Sequence, residues 1–136
     1  MELPLDPKLA LVKLPFGSSR GEVRAFFDGE PQPFRRSPTS RDSDYWAALG
    51  IFAYYDDADN LEAIELAAPA SPSLVGQVLT SLRLQEAKEV LRQHDHAMED
   101  ESDGAISKAL GIGIWSEAGL DGLVQAVIRF SGGYYD

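Results

Sequence analysis

A short pattern occurs twice in this chain and restricts its fold more than any other feature. Ala48-Leu49-Gly50-Ile51 opens an apolar run in the first half, and Ala109-Leu110-Gly111-Ile112 opens another in the second. Upstream of each lies an apolar triad at helical spacing: Val23, Phe26 and Phe27 in one copy, Ala87, Val90 and Leu91 in the other. Downstream lie Leu61-Glu62-Ala63-Ile64-Glu65-Leu66 and Val124-Gln125-Ala126-Val127-Ile128-Arg129-Phe130, alternating segments of the kind that form half-buried strands. Equivalent positions are offset by 64, 61 and 63 residues, the variation that loop-length changes between two copies of one supersecondary unit produce. The chain is therefore expected to be a single domain over 1–136, with internal repeats at about 9–67 and 74–130.

Each copy reads as a helix followed by a hairpin. Ser19-Arg20-Gly21-Glu22 matches a capping box, which predicts a helix from Arg20 to Asp28 ended by Gly29 and Pro31. A second helix is expected over Leu84 to His94, with a less well marked start because Ser81 lacks a glutamate three residues on. Tyr45 to Tyr55 reads as one strand bent at Gly50, and Ile106 to Trp115 as its counterpart; Asp56–Asn60 and Ser116–Gly122 are the turns that follow. Residues 9–16 and 74–79 read as short extended segments, 29–44 as an exposed loop with three prolines, and 67–73 as a small-residue connector. One helix and one hairpin cannot bury their own apolar face. Two such units side by side are expected to share an antiparallel sheet with both helices packed on one face, an α+β domain of two tandem α-β-β units.

A tandem helix-hairpin of this kind is similar to the β-lactamase inhibitor protein fold and to the lipoprotein domain of the outer-membrane assembly factor once called small protein A. The resemblance rests on a small residue and a glutamate-valine pair early in the helix, Ser19-Arg20-Gly21-Glu22-Val23, with Gln85-Glu86-Ala87 as the weaker counterpart, and spans about residues 14–130. The chain lacks the lipidated cysteine of the lipoproteins and the disulfides of the secreted inhibitor, so their compartments and partners do not carry over. What the resemblance implies is a non-catalytic domain whose sheet face binds other proteins.

The residues support a compatible expectation. If Ile51, Ala53, Tyr55, Ile112 and Ile114 face the helices, strand alternation directs Phe52, Tyr54 and Trp115 to the opposite face. Together with Trp46, Tyr134 and Tyr135 these are the candidate partner-binding residues, since exposed aromatic clusters supply interface hot spots. A face covered by other segments, making these rings a second core, is the competing reading.

Twelve basic and 22 acidic residues give a net charge of −10, a field that repels phosphate backbones and anionic membranes and favours a basic protein as partner. No apolar run reaches the ~18 residues of a membrane span. Cysteine is absent, which excludes disulfides, thiolate nucleophiles and cysteine-ligated metals. The first residues carry two acids and two prolines where a secretory signal needs a basic start and an unbroken apolar stretch, so a cytoplasmic location is expected. No phosphate loop or nucleophile elbow is present, and no enzyme activity, metal or cofactor is expected. The contrasting reading is a ligand-binding or hydrolytic domain using Arg35, Arg36 and Arg41, the basic residues of the proline-containing loop, or the His94–Asp103 segment, whose histidines and carboxylates otherwise form a solvated helix end. The sharper expectation is a bacterial immunity or inhibitor-type protein that masks a basic partner with carboxylates around an aromatic centre.

Overall fold

The apolar runs around Gly50 and Gly111 turn back on themselves. Gly50 N–H donates to the Trp46 carbonyl at 2.9 Å and Gly111 N–H to the Ser107 carbonyl at 2.8 Å, closing two tight turns. Their φ angles, +70° and +69°, lie in the left-handed region that glycine enters without a Cβ penalty. Each glycine carbonyl then accepts from the last strand of its own half, Gly50 from Ala67 N–H at 2.8 Å and Gly111 from Phe130 N–H at 2.9 Å. A Cβ at either position would overlap the backbone oxygen of Ala67 or Phe130.

The computed structural model describes residues 2–5, 11, 13–35, 37–38, 42–132 and 134. Among these the elements run β1 (Glu2–Pro4), α1 (Arg20–Phe26), β2 (Gln32–Phe34), β3 (Ser43–Trp46), β4 (Ile51–Tyr55), β5 (Leu61–Ala67), β6 (Ser71–Leu74), β7 (Gln77–Val78), α2 (Leu84–His94), β8 (Glu99–Asp100), β9 (Gly104–Ser107), β10 (Ile112–Trp115) and β11 (Ala126–Phe130). Short 3₁₀ turns span Leu79–Ser81 and Gly119–Asp121. Eight strands form one antiparallel sheet in the order β2-β3-β4-β5-β11-β10-β9-β8, and β1, β6 and β7 form a second. The large sheet reads the same from either edge, with each helix followed by a four-strand meander. Its two halves meet where Leu66 pairs with Val127 and Ile64 with Arg129. No helix is long and apolar enough to cross a membrane among the described residues.

This corrects the expected architecture. The molecule is mostly sheet, eleven strands with only two helices among the described residues, and does not fit two α-β-β units with both helices on one face. Three local readings account for the difference. Gly50, expected as a bend, and Gly111, expected within a strand, both lie in turns, so each expected strand is two. The segments read as exposed loop and acidic helix end contribute the edge strands β2 and β8. Residues read as connector and extended segment make β6 and β7, which pair with each other and with β1, so the helices share their layer with a second sheet. Helix α1 begins at the expected Ser19 cap but stops at Phe26. Helix α2 spans the expected residues, with Arg83 rather than Ser81 preceding it, and Arg83 N–H donates to Glu86 Oε1 at 3.0 Å.

One face of the large sheet carries the main core. Register places Trp46, Ile51, Ala53, Ile64, Leu66, Ile114 and Val127 on it, all buried. Val23 and Phe27 of the first helical segment, Leu84, Ala87 and Leu91 of the second, and Leu3 and Leu74 of the small sheet pack in the same cluster. Phe27 meets Trp46 with ring centroids 5.0 Å apart, and Trp46 Nε1 donates to the Gly29 carbonyl at 3.3 Å.

Each helix is tied to its meander by a cation. Arg24 donates to both oxygens of the fully buried Asp44 at 2.9 and 2.8 Å, Tyr55 Oη donates to the same carboxylate at 2.8 Å, and Arg20 approaches it at 3.4 Å while forking onto Asp59. One copy later, the buried Lys88 reaches Asp100 and the Glu101 carbonyl. Burial alone would raise the Asp44 pKa. The hydrogen bonds from Arg24 and Tyr55 and the charges of both arginines outweigh it and hold the carboxyl below its usual range.

Gly50→Ala, which adds a backbone overlap to the positive-φ cost, should lower stability by more than about 2 kcal/mol in urea denaturation. Gly76→Ala, at φ +78° but with open space around it, should cost about 1 kcal/mol. Asp44→Asn should cost roughly 2–4 kcal/mol at pH 7, because it leaves two arginines and a buried hydroxyl without their anion. A folded-state pKa below the unfolded value gives stability that is complete above about pH 4 and is lost as pH falls through the folded value, so the gap between wild type and Asp44→Asn should narrow below pH 4.

Candidate functional site on the outer sheet face

The face of the large sheet away from the main core is aromatic. Strand register sets Gln32, Tyr45, Phe52, Glu65, Ile128, Gly113, Ile106 and Glu99 in one row crossing all eight strands. Phe34, Tyr54, Ala63 and Phe130 follow on one side of it, and Gly104, Trp115 and Ala126 on the other. Tyr54, Ala63, Ile128 and Phe130 are buried, and Phe34, Phe52, Ile106, Trp115 and Tyr134 pack against them. Among the described residues, every apolar side chain packed over that cluster except Tyr134 comes from the sheet itself. The outer ring residues are only half-buried.

The rings fall into two groups with different exposed surfaces. Tyr45 and Phe52 stack across β3 and β4 with centroids 4.2 Å apart and planes at 16°, so their faces cover each other and their edges point outward. Phe34 packs edge-on against Phe52 at 5.6 Å. Trp115 instead lies flat. A Cβ on Gly113 would come within 2.5–2.7 Å of the Trp115 Cη2 and Cζ3 atoms, and one on Gly104 within 2.6–2.9 Å of its Cδ1 and Nε1. The indole is therefore laid across two bare glycines, one on its own strand and one on its neighbour. Its second face is turned away from the two glycines, the residue is half-buried, and its N–H makes no hydrogen bond among the described residues.

The expected site residues separate accordingly. Phe52 and Trp115 are half-buried on the outer face. Tyr54 shares that face but is only 5% exposed, with its hydroxyl donating to Glu65 Oε1 at 3.2 Å, so it is not available to a partner. Trp46 lies on the opposite face inside the main core at 2% exposure and is not available to a partner. Tyr134 stacks on Phe130 at 6.0 Å. Tyr135 lies outside the described residues, as do Arg36 and Arg41. Arg35 is exposed and pairs with Asp42 at 2.5 Å.

Residues His94–Asp103 are largely committed to structure. Asp95 accepts from Ala97 N–H at 3.0 Å and Ser107 Oγ at 2.7 Å, Asp100 from Lys88, and Glu99 faces Lys108 at 3.8 Å, while both histidines are exposed. Among the described residues no three histidine, aspartate or glutamate side chains converge as a metal site. An open cleft of about 800 Å³ beside the β5–β6 turn is lined by Ala68, Pro69, Ala70, Leu123 and Gln125 among others, and includes none of these charged candidates.

Sequence reading overlooked the Gly104–Gly113 seat and the contribution of Tyr45 and Phe34. The signal for the seat was Gly-Ile-Trp at 113–115, a glycine two residues before a tryptophan on the same strand face. Gly113→Ala should tip the indole off the sheet while leaving the fold intact, because the added methyl meets the far end of a side chain. Acrylamide quenching should then increase for Trp115, with the buried Trp46 as the unaffected internal reference. No family model, curated protein or solved structure matches the chain, so a functional reading rests on this geometry.

Proposed function

We propose that this protein is a non-enzymatic, cytoplasmic binding module that captures a basic protein on the outer face of its large sheet, in the manner of an immunity or inhibitor protein. The observation that carries the reading is the half-buried aromatic layer of Phe34, Tyr45, Phe52 and Trp115, packed beside the buried Tyr54, Ile128 and Phe130. Rings of this kind bury large areas at low entropic cost and dominate interface energetics. The acidic surplus supports a cationic partner.

The sheet edges favour docking on the face over strand addition. Strand β2 carries Pro33, which has no N–H to offer, and β8 is two acidic residues long. Short, charged or proline-bearing edges disfavour pairing with another chain. Face and edge therefore point to the same binding mode.

Capture from a host extract with immobilised protein, followed by affinity measurement with the purified partner, tests the reading. Phe52→Ala and Trp115→Ala should each weaken binding at least about tenfold with a small change in melting temperature. Affinity should also fall as salt is raised from about 0.05 to about 0.5 M, because the Debye length shrinks from about 14 Å to about 4 Å. Full affinity in both variants would contradict a role for this face.

A further inference from the structure

Trp115 has surroundings that the rest of the aromatic layer lacks. Its indole nitrogen lies over Gly104, on the side nearest the sheet edge. The next position along that row is Glu101: its N–H donates to the Gly104 carbonyl at 2.9 Å and its carbonyl accepts from Gly104 N–H at 3.4 Å, so Glu101 and Gly104 are directly opposed and their side-chain positions share the outer face. Gly104 contributes no side chain between them. Across that bare backbone, at a strand spacing of about 4.8 Å, the indole and the Glu101 side chain border one shallow site.

The charges at this edge are not balanced internally. Glu101 is exposed, and no cation pairs with its carboxylate among the described residues. Glu99, in the neighbouring outward row, meets Lys108 only at 3.8 Å, and Lys88 spends its ammonium on Asp100 and on the Glu101 backbone. Tyr45 and Phe52 present ring edges, whose electrostatic rim repels cations, whereas Trp115 presents an indole face, the best aromatic surface for one.

We propose that Trp115 and Glu101 form the anchor subsite of the docking face, holding an arginine side chain of the basic partner with its guanidinium flat on the outward indole face and hydrogen-bonded to the Glu101 carboxylate. The assignment rests on the face-binding reading above. Arginine fits better than lysine because its plane matches the flat indole, its fork matches a carboxylate, and it sheds water more readily.

The two tryptophans supply a direct test, since their indole N–H resonances can be followed separately in ¹⁵N-labelled protein. Titration with N-acetyl-Gly-Arg-Gly-amide should move the Trp115 resonance and leave that of Trp46, whose N–H is bonded to the Gly29 carbonyl, in place. The same peptide with citrulline should give no shift, and with lysine a smaller one. Glu101→Gln should weaken the arginine response about threefold, the size of a solvent-exposed ion pair. A Trp115 resonance that ignores the arginine peptide, or that answers citrulline or lysine equally, overturns the proposal. If partner affinity still drops in Phe52→Ala, that result removes the arginine anchor and leaves the docking face standing; if affinity is unchanged there as well, both fall.

Discussion

The pairing of β5 with β11 is the constraint on which the rest of the molecule depends. It joins the two meanders along five residue pairs, from Ala67 against Ala126 to Ala63 against Phe130. Because side chains alternate with a period of two, a slip of one residue in either strand would exchange its faces. Leu66 and Val127 would leave the main core, and Glu65 and Ile128 would enter it. Both faces are apolar here, so the selection against slippage comes from what each tolerates: the inner face has to close over two helices and a small sheet, while the outer row alone accommodates Glu65. Which rings face outward is therefore fixed from the centre of the sheet.

Charge is distributed with the same division of labour. Arg20, Arg24, Arg35, Lys88, Arg92 and Lys108 are all in ion pairs with the chain's own carboxylates, and Arg129 is buried with its guanidinium on the Gly111 carbonyl. Arg20, Arg24 and Lys88 thus tie helices to strands, and much of the acid surplus is left on the surface. Arg24 and Lys88, one repeat apart, do this for α1 and α2 through different carboxylates, Asp44 and Asp100. The acidity read from composition is in this sense a residue of how the fold is anchored as well as a bias toward basic partners.

Much of the local structure was legible in the sequence, and its assembly was not. The capping box at Ser19 marks the start of α1, the apolar spacing of Leu84 to Leu91 marks α2, and alternation in the β4 and β10 runs assigns Phe52 and Trp115 to the face away from Ile51 and Ile114. The expected α-β-β units failed at Gly50 and Gly111, because a glycine within an apolar run has the same composition whether it bends a strand or reverses it. Only its φ angle and the carbonyl it approaches distinguish the two. Strands β2 and β8 were missed for another reason: Gln32-Pro33-Phe34 and Glu99-Asp100 have poor strand propensity and are held by their neighbours rather than by their own residues. The placement of Trp46 was beyond alternation as well, since the turn before Gly50 changes which face the preceding strand presents.

An aromatic layer on a sheet face can serve as a second core or as a contact surface, and this one has both buried and partly exposed members. Tyr54, Ile128 and Phe130 are buried, whereas Phe52 and Trp115 beside them are half-buried. Binding on this face requires Phe52 and Trp115 to be open in solution. Relaxation enhancement by a neutral gadolinium chelate measures it most directly: the Trp115 indole and Phe52 ring protons should broaden strongly while the Trp46 indole stays sharp. Equal protection of Trp115 and Trp46 would show that the face is covered and would contradict the account.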